Sequence, residues 1–242
     1  MRATPIEPSP VAFTWTGSRS IPIEECGEPL VPISCCPERV LVRPQYYFQG
    51  LTHALPEIYL REGVFERLLT ASQALPSGHR FVVLDGWRPL PLQQSLFDRY
   101  KDELAQKRPE LDEEALRELA RRFVAEPRSD PRCPSPHSTG GSVDLTVADP
   151  MGRILPMGSE FDETSDRSET LYLESRTDGD LSEGELRALG NRRLLYHVMV
   201  SAGFTNYPDE WWHFDYGNQN WALMSGRKAA VYGRGVPALR WL

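Results

Sequence analysis

Residues 135–145 read SPHSTGGSVDL, and the run continues TVAD to Asp149. His137 and Asp144 stand seven positions apart with the pair Gly140–Gly141 between them. On a continuous helix that separation is about 10.5 Å along the axis. Two groups that must each come within about 2.0–2.2 Å of one zinc-like ion cannot share it at that distance. On a continuous strand an odd separation sends the two side chains to opposite faces. A shared ligand therefore requires the chain to fold back, and the glycines permit backbone angles closed to other residues. This makes SVDLTVAD a strand fed by a turn, with Asp144 on the strand and His137 on the loop leading in. Alone, the spacing also suits two unrelated surface groups on a glycine-rich turn.

Around this strand the chain alternates between helical and extended patterns. Residues 57–75 carry Val64, Phe65, Leu68, Leu69 and Leu75 at helical spacing, ended by Pro76 and Gly78. RFVVLD (Arg80–Asp85) is an apolar run between turn signals, a buried strand. Leu92–Gln106 reads as a helix with Leu92, Leu96 and Tyr100 on one face. Asp112–Ala125 reads as another, with Leu116, Leu119, Ala120 and Phe123 as its inner stripe. Residues 156–181 lack a period and form a long loop of the kind that often carries function. Ser182 and Glu185 make a capping box for a helix that stops at Gly203, and WWHFDY is a last strand. The first 45 or so residues are proline-rich and read as an extended arm with short strands at most. The expected fold class is α+β, a small mixed or antiparallel sheet with flanking helices. Residues 1–20 are expected to be an N-terminal arm and 21–242 one catalytic domain.

The chain has 242 residues, 40% of them hydrophobic and 25% charged, as in ordinary globular proteins. Its net charge of −7 argues against nucleic acid as a partner, because phosphate binding needs clustered Lys and Arg. No run of about 18 apolar residues exists, so no membrane partner is expected. The N-terminus lacks the apolar stretch of a signal peptide, and a cytoplasmic location is expected. Cys26, Cys35, Cys36 and Cys133 show no CxxC spacing and read as reduced thiols.

A second stretch, PDEWWHFDYG (Pro208–Gly217), offers Glu210 and His213 among bulky aromatics. Alone, a histidine in an apolar strand is more often a satisfied core residue, but beside His137 and Asp144 His213 is the third ligand that a catalytic zinc, with one position open for water, would need. Glu210 is near enough to take a proton from that water, as the non-ligating Glu does in HExxH enzymes. In LDGWRPL, Arg88 follows a strand and a glycine turn; a single Arg there is usually a solvated charge, and placed near a zinc it would polarise a carbonyl or hold an oxyanion. Asp215 suits either a partner for a ligand or a surface charge at a strand end. Asp85 suits either an ion pair with Arg88 or a turn former before Gly86. His53, His79 and His197 read as surface or packing residues.

Together these stretches resemble a known family. SPHSTGGSVD is similar to the SxHxxGxxxD signature, and EWWH to the ExWH signature, of the zinc D-Ala-D-Ala peptidases. DGWRP, PMGSEFDE and NRRLLYHVMVSAGF resemble segments of their VanX-type dipeptidase branch, so the similarity runs from about Ile21 to Gly217. The resemblance implies a small α+β fold with one zinc per chain, held by His137, Asp144 and His213. It implies Glu210 as catalytic base, Arg88 as oxyanion stabiliser, Asp162 as partner of the substrate ammonium and Ser135 as a hydrogen-bonding group for substrate. The implied substrates are D,D-dipeptides of cell-wall chemistry, D-Ala-D-Ala foremost. The chain departs from the branch in VRPQYYFQG, where Val42 and Tyr47 replace an expected Tyr and Asn near the amine pocket, and at Trp87, where a Tyr is expected.

Two other functions fit the same residues: a carboxypeptidase trimming D-Ala from longer wall peptides, and a zinc-binding module without turnover. The first needs an open amine side. The second would make Glu210 dispensable.

Overall fold

The computed structural model describes residues 1–121, 124–177, 179 and 181–238. Helices and strands follow in the order α1 (Trp15–Ser20), β1 (Leu30–Pro32), β2 (Val40–Val42), α2 (Gln45–Phe48), β3 (Tyr59–Arg61), α3 (Glu62–Ser72) and β4 (Arg80–Asp85). Then come α4 (Leu90–Lys107), α5 (Glu113–Ala120), β5 (Ser142–Ala148), α6 (Glu183–Ser201), β6 (Thr205–Asn206), β7 (His213–Asp215) and α7 (Gln219–Met224). Five strands form one sheet in the order β2-β4-β5-β7-β6, with β2 parallel to β4 and the other neighbours antiparallel. A separate antiparallel pair joins β1 to β3. This is the mixed α+β architecture expected from the sequence.

The sheet has two unlike faces. On one, Phe81, Val83, Val143, Leu145 and Val147 pack against Val64 and Leu68 of α3 and Leu195 and Val198 of α6, forming the main core. The polar half of the β5 alternation, Ser142, Asp144 and Thr146, lies on the other face. These residues are buried as well, since all of β5 is buried. Buried polar side chains are as a rule hydrogen-bonded: Ser142 bonds Asp215 and Asp144 meets His213, both in the functional site, whereas the Thr146 hydroxyl has no partner. β4 carries a bulge at its end, where the register shifts between Val83 and Asp85 and Asp85 pairs with Asp144. A bulge re-aims a side chain. Here it turns Asp85, which simple alternation would group with Phe81 and Val83, toward the site.

Several elements differ from the sequence expectation. Residues 59–61 are not the start of a helix but a strand, and α3 begins at Glu62. Their partner Leu30–Pro32 is distant in sequence, so local periodicity does not reveal the pairing. α4 buries Leu92, Gln93, Phe97 and Leu104 rather than the expected Leu96 and Tyr100. α5 ends at Ala120, capped at its start by Asp112, and Phe123 lies outside the described residues. The N-terminal segment is not wholly extended. Thr14 caps α1, which packs on α7, a helix the sequence reading lacked. The Ser182–Glu185 capping box forms. Among its described residues the long loop holds two short 3-10 turns, Asp166–Ser168 and Glu174–Arg176.

Candidate metal site and catalytic cleft

The TGG turn brings His137 back over the sheet. Pro136–Thr139 form one 3-10 turn, closed by Gly140 in the left-handed region at φ 72°. A β-carbon on Gly140 would come within 2.1 Å of Leu30 Cδ2, and one on Gly141 within 2.5 Å of the Tyr216 carbonyl. Both positions therefore need glycine, for conformation at the first and for space at both. The DGWRP turn locks against this one. His137 Nδ1 donates to the Gly86 carbonyl at 2.7 Å, and the Arg88 N–H donates to the His137 carbonyl at 3.2 Å.

Strand pairing supplies the other two groups. Asp144 on β5 stands directly across from His213 on β7, and Ser142 across from Asp215. Side chains opposite one another across a ladder meet on one face. His137, Asp144 and His213 are all buried, and their ligand atoms lie within 4.8 Å of one another. His213 Nδ1 is 3.0 Å from Asp144 Oδ1, His137 Nε2 is 3.3 Å from Asp144 Oδ2, and the two ring nitrogens are 3.2 Å apart.

This donor set fits a metal ion. His137 Nδ1 and His213 Nε2 each carry a proton toward an acceptor, the Gly86 carbonyl and Asp215 Oδ1 (3.1 Å) respectively. The remaining nitrogens face each other and a carboxylate, so a cation, whether a proton or a metal ion, is what relieves their mutual repulsion. A tetrahedral zinc with ligands at about 2.0–2.1 Å has ligand–ligand edges of about 3.3 Å, close to the triangle present. Asp215 in turn accepts from Ser142 Oγ, Asn218 Nδ2 and Asn220 Nδ2. Burial alone would raise its carboxyl. His213 and these hydrogen bonds outweigh burial and hold it low. The same balance, won by His137 and His213, keeps Asp144 well below the carboxylate range. Against the penalty of burial, Asp215 and Asp144 raise His213 well above an ordinary imidazole.

These residues line a cleft of about 480 Å³. Glu210 stands in it with Oε2 at 3.7 Å from His213 Nδ1. Burial pushes its carboxyl up to about 8, with His213 opposing and Asp144 and Asp162 adding to the rise. Arg88 points in from the end of β4, its Nε and Nη2 paired with Asp85 Oδ2 at 2.9 and 2.6 Å and its Nη1 with Gln93. Its Nη2 also reaches Tyr46 Oη at 3.3 Å and lies 3.9 Å from Asp144. Burial disfavours the Arg88 charge, but Tyr46, Asp85 and Asp144 outweigh it. Asp162 sits with φ 61°, a conformation Asp tolerates better than most residues. It is open to the cleft, yet the walls withhold enough hydration to push its carboxyl up to about 6 despite Arg88 and a hydrogen bond from Tyr46.

The structure thus brings six of the seven sequence-selected residues to the cleft: His137, Asp144, His213, Glu210, Arg88 and Asp162. Ser135 is elsewhere. It is buried on the wall of a small adjoining cavity, and its hydroxyl has no hydrogen-bond partner. In the VRPQYYFQG segment it is Tyr46, not Val42 or Tyr47, that lines the cleft, and Tyr47 is exposed. Trp87 turns its indole N–H away, to the Gly235 carbonyl at 2.8 Å. Asp85 and Asp215 are both buried partners of site residues rather than surface charges. Sequence reasoning missed Arg192 of α6, buried at 2% exposure. Its guanidinium donates to the carbonyls of Met157, Arg167 and Glu169, which pins the loop that carries Asp162. A buried Arg within an apolar helix stripe was the available signal.

Comparison with known proteins gives a consistent result. A family profile described as D-ala-D-ala dipeptidase matches residues 57–229. A D-alanyl-D-alanine dipeptidase of Synechocystis sp. is 35% identical over 236 residues, covering 89% of this chain and 95% of that one. One of Escherichia coli is 38% identical over 81 residues, 34% of this chain and 37% of that one. One of Enterococcus faecalis is 30% identical over 138 residues, 57% and 62% of the two chains. The solved vancomycin resistance D,D-pentapeptidase VanY, as a Zn(II) complex, aligns over 73% of this chain and 83% of that one at 18% identity and TM-score 0.42, too loosely to bear on the site.

Proposed function

The chain belongs to the D-Ala-D-Ala dipeptidase family of metallopeptidases, and from that membership we propose that it hydrolyses D,D-dipeptides, D-Ala-D-Ala foremost, as a zinc enzyme. The observation that carries the reading is the convergence of His137, Asp144 and His213 on one point, with Glu210 beside it and not part of the triangle. Zinc held by those three residues would supply Lewis acidity toward a water and the scissile carbonyl. Glu210 takes the proton of the attacking water and passes it to the leaving amine. Its carboxyl, pushed up by burial, suits a group that must both accept and return a proton. Arg88, held charged by Asp85, donates to the carbonyl oxygen as negative charge builds there. Asp162 pairs with the free ammonium of the dipeptide and so measures substrate length. Ser135, behind the cleft wall, takes part only if that wall yields.

Peptidase action sets this protein apart from a zinc-binding module, whose metal site normally has four protein ligands. The carboxypeptidase reading needs room beyond the substrate amine, where Asp162 and Tyr46 stand. A cytoplasmic location belongs to the same proposal, and four unpaired cysteines suit a reducing compartment. Among the described residues no helix is long and apolar enough to cross a membrane. The test compares zinc-loaded protein on D-Ala-D-Ala and on a pentapeptide ending in D-Ala-D-Ala. Turnover of the dipeptide alone supports the reading. Preference for the pentapeptide moves the function to the carboxypeptidase.

A further inference from the structure

The cleft runs across the sheet in strand order. Tyr46 follows β2, Arg88 follows β4, Asp144 is on β5, His213 on β7 and Tyr207 follows β6, and all five line it. Asp162 joins Tyr46 and Arg88 at the β2 end. The β6 end is aromatic. There the Trp15 ring meets Phe13 edge-on at 5.1 Å between centroids and Tyr207 at a tilt at 5.8 Å. Tyr207 in turn lies 5.8 Å from the His213 ring. Trp15 comes from α1, outside the family-matched residues 57–229, and it lines the cleft.

Helix α1 is tied to the metal site and is not a loose arm. Ser18, buried, donates to Asn220 Oδ1 at 2.7 Å. Asn220 Nδ2 donates to Asp215 Oδ2 at 3.3 Å, and Asp215 Oδ1 accepts from His213 Nε2 at 3.1 Å. A chain of buried hydrogen bonds thus runs from α1 to an imidazole of the triangle. It fixes Trp15 relative to the reacting centre. Arg19 lies over the indole at 5.1 Å and holds it further.

We propose that Trp15 is a specificity-determining residue: with Tyr207 it walls the subsite for the second residue of the dipeptide and lets an apolar or aromatic side chain be accepted there beside a methyl group. The proposal rests on the dipeptidase reading with the substrate ammonium at Asp162. A dipeptide anchored at the β2 end, with its peptide bond over the three ligands, sends its second residue toward β6. Pockets of about 300–1,000 Å³ enclose drug-sized molecules, so two alanines leave much of a cleft of about 480 Å³ unfilled. The second residue, sent toward β6, meets the aromatic end of that space. Paired aromatic rings add up to about tenfold in affinity beyond the area they bury.

The experiment measures kcat/KM of the zinc-loaded enzyme on D-Ala-D-Phe and D-Ala-D-Ala, for wild type, Trp15→Ala and Trp15→Phe. The expected result is wild-type turnover of both dipeptides, a fall of about tenfold in the ratio of the D-Ala-D-Phe value to the D-Ala-D-Ala value in Trp15→Ala, and recovery of most of it in Trp15→Phe. A purely structural role for Trp15 would lower both values together and leave the ratio in place. An unchanged ratio in Trp15→Ala, or in Trp15→Leu should the alanine variant not fold, overturns the proposal while D-Ala-D-Ala turnover keeps the dipeptidase reading. Absence of any D,D-dipeptide turnover by wild type overturns both.

Discussion

Asp215 orients His213 by accepting its Nε2 proton, and three further buried donors hold Asp215 in place. Removing such a partner typically costs about 10–100-fold in metal affinity. Asp215→Ala should show that loss in competition with a zinc-binding dye, and Asp209→Ala, at the exposed rim, should not. Protons compete at the same site. In the metal-free protein His213 lies above its ordinary range and Glu210 at about 8, so both hold protons near neutral pH. Metal binding should therefore release about one to two protons, and affinity should fall as pH is lowered. Calorimetry in buffers of different ionisation enthalpy measures the release, and none at pH 7 would contradict these assignments. For metal-free stability, the raised His213 contributes below the pKa of the unfolded chain and loses its contribution as pH rises through the folded value. Asp144 and Asp215, held low, contribute above the carboxylate range and lose theirs as pH falls. The residues that meet at the triangle and beside it were legible because their types and spacings are few. Their supports were only half legible: Asp85 and Asp215 each had an equal reading as a surface or turn residue, and nothing near Tyr46 marked it as the inward member of the Tyr46–Tyr47 pair.

The turn that feeds β5 shows how far an element can be derived from a short stretch. No helix or strand could bring His137 to Asp144, and the turn closes through a left-handed Gly140. Gly140→Ala combines that conformation with a clash against Leu30 and should destabilise the fold by more than about 1 kcal/mol, seen as a lower melting temperature and weaker zinc binding. The loop of residues 156–181 was legible only as a loop. Its order comes from Arg192, whose planar fork reaches three carbonyls that belong to the loop and not to α6. A lysine cannot reproduce that fork. Arg192→Lys should loosen the loop that carries Asp162, raising KM for D-Ala-D-Ala more than it lowers kcat. An unchanged KM would show that Asp162 is positioned otherwise. The helix expected over 57–75 failed at its start for a related reason. Tyr59–Arg61 are strand because Leu30–Pro32 pair with them, and a partner that distant leaves no local trace.

Across the molecule, segments far apart in sequence converge on the metal turn. Arg61, 4% exposed, donates its backbone N–H to the Gly140 carbonyl and donates through Nε to Thr139 O at 2.8 Å. It also donates to the Glu28 and Gly233 carbonyls and pairs with Glu25 at 3.1 Å. One guanidinium thus ties the N-terminal and C-terminal segments to the loop that carries His137. Arg61→Met leaves several buried acceptors unpaired, at about 1–3 kcal/mol each, and should lower the melting temperature of the metal-free protein. A residue in the β1–β3 ribbon gave no sequence sign of this, because its partners come from three remote stretches. The same holds for α1, which the sequence placed in an arm and the fold places against α7, with Trp15 in the cleft. The central claim is that three residues hold zinc while Glu210, which does not, moves the proton. The most direct measurement is zinc content and D-Ala-D-Ala turnover of Glu210→Gln beside wild type. The account predicts about one zinc per chain in both, with kcat lowered by about 10²–10⁴-fold in the variant. Turnover retained at the wild-type rate, or lost only because zinc is lost, would contradict it.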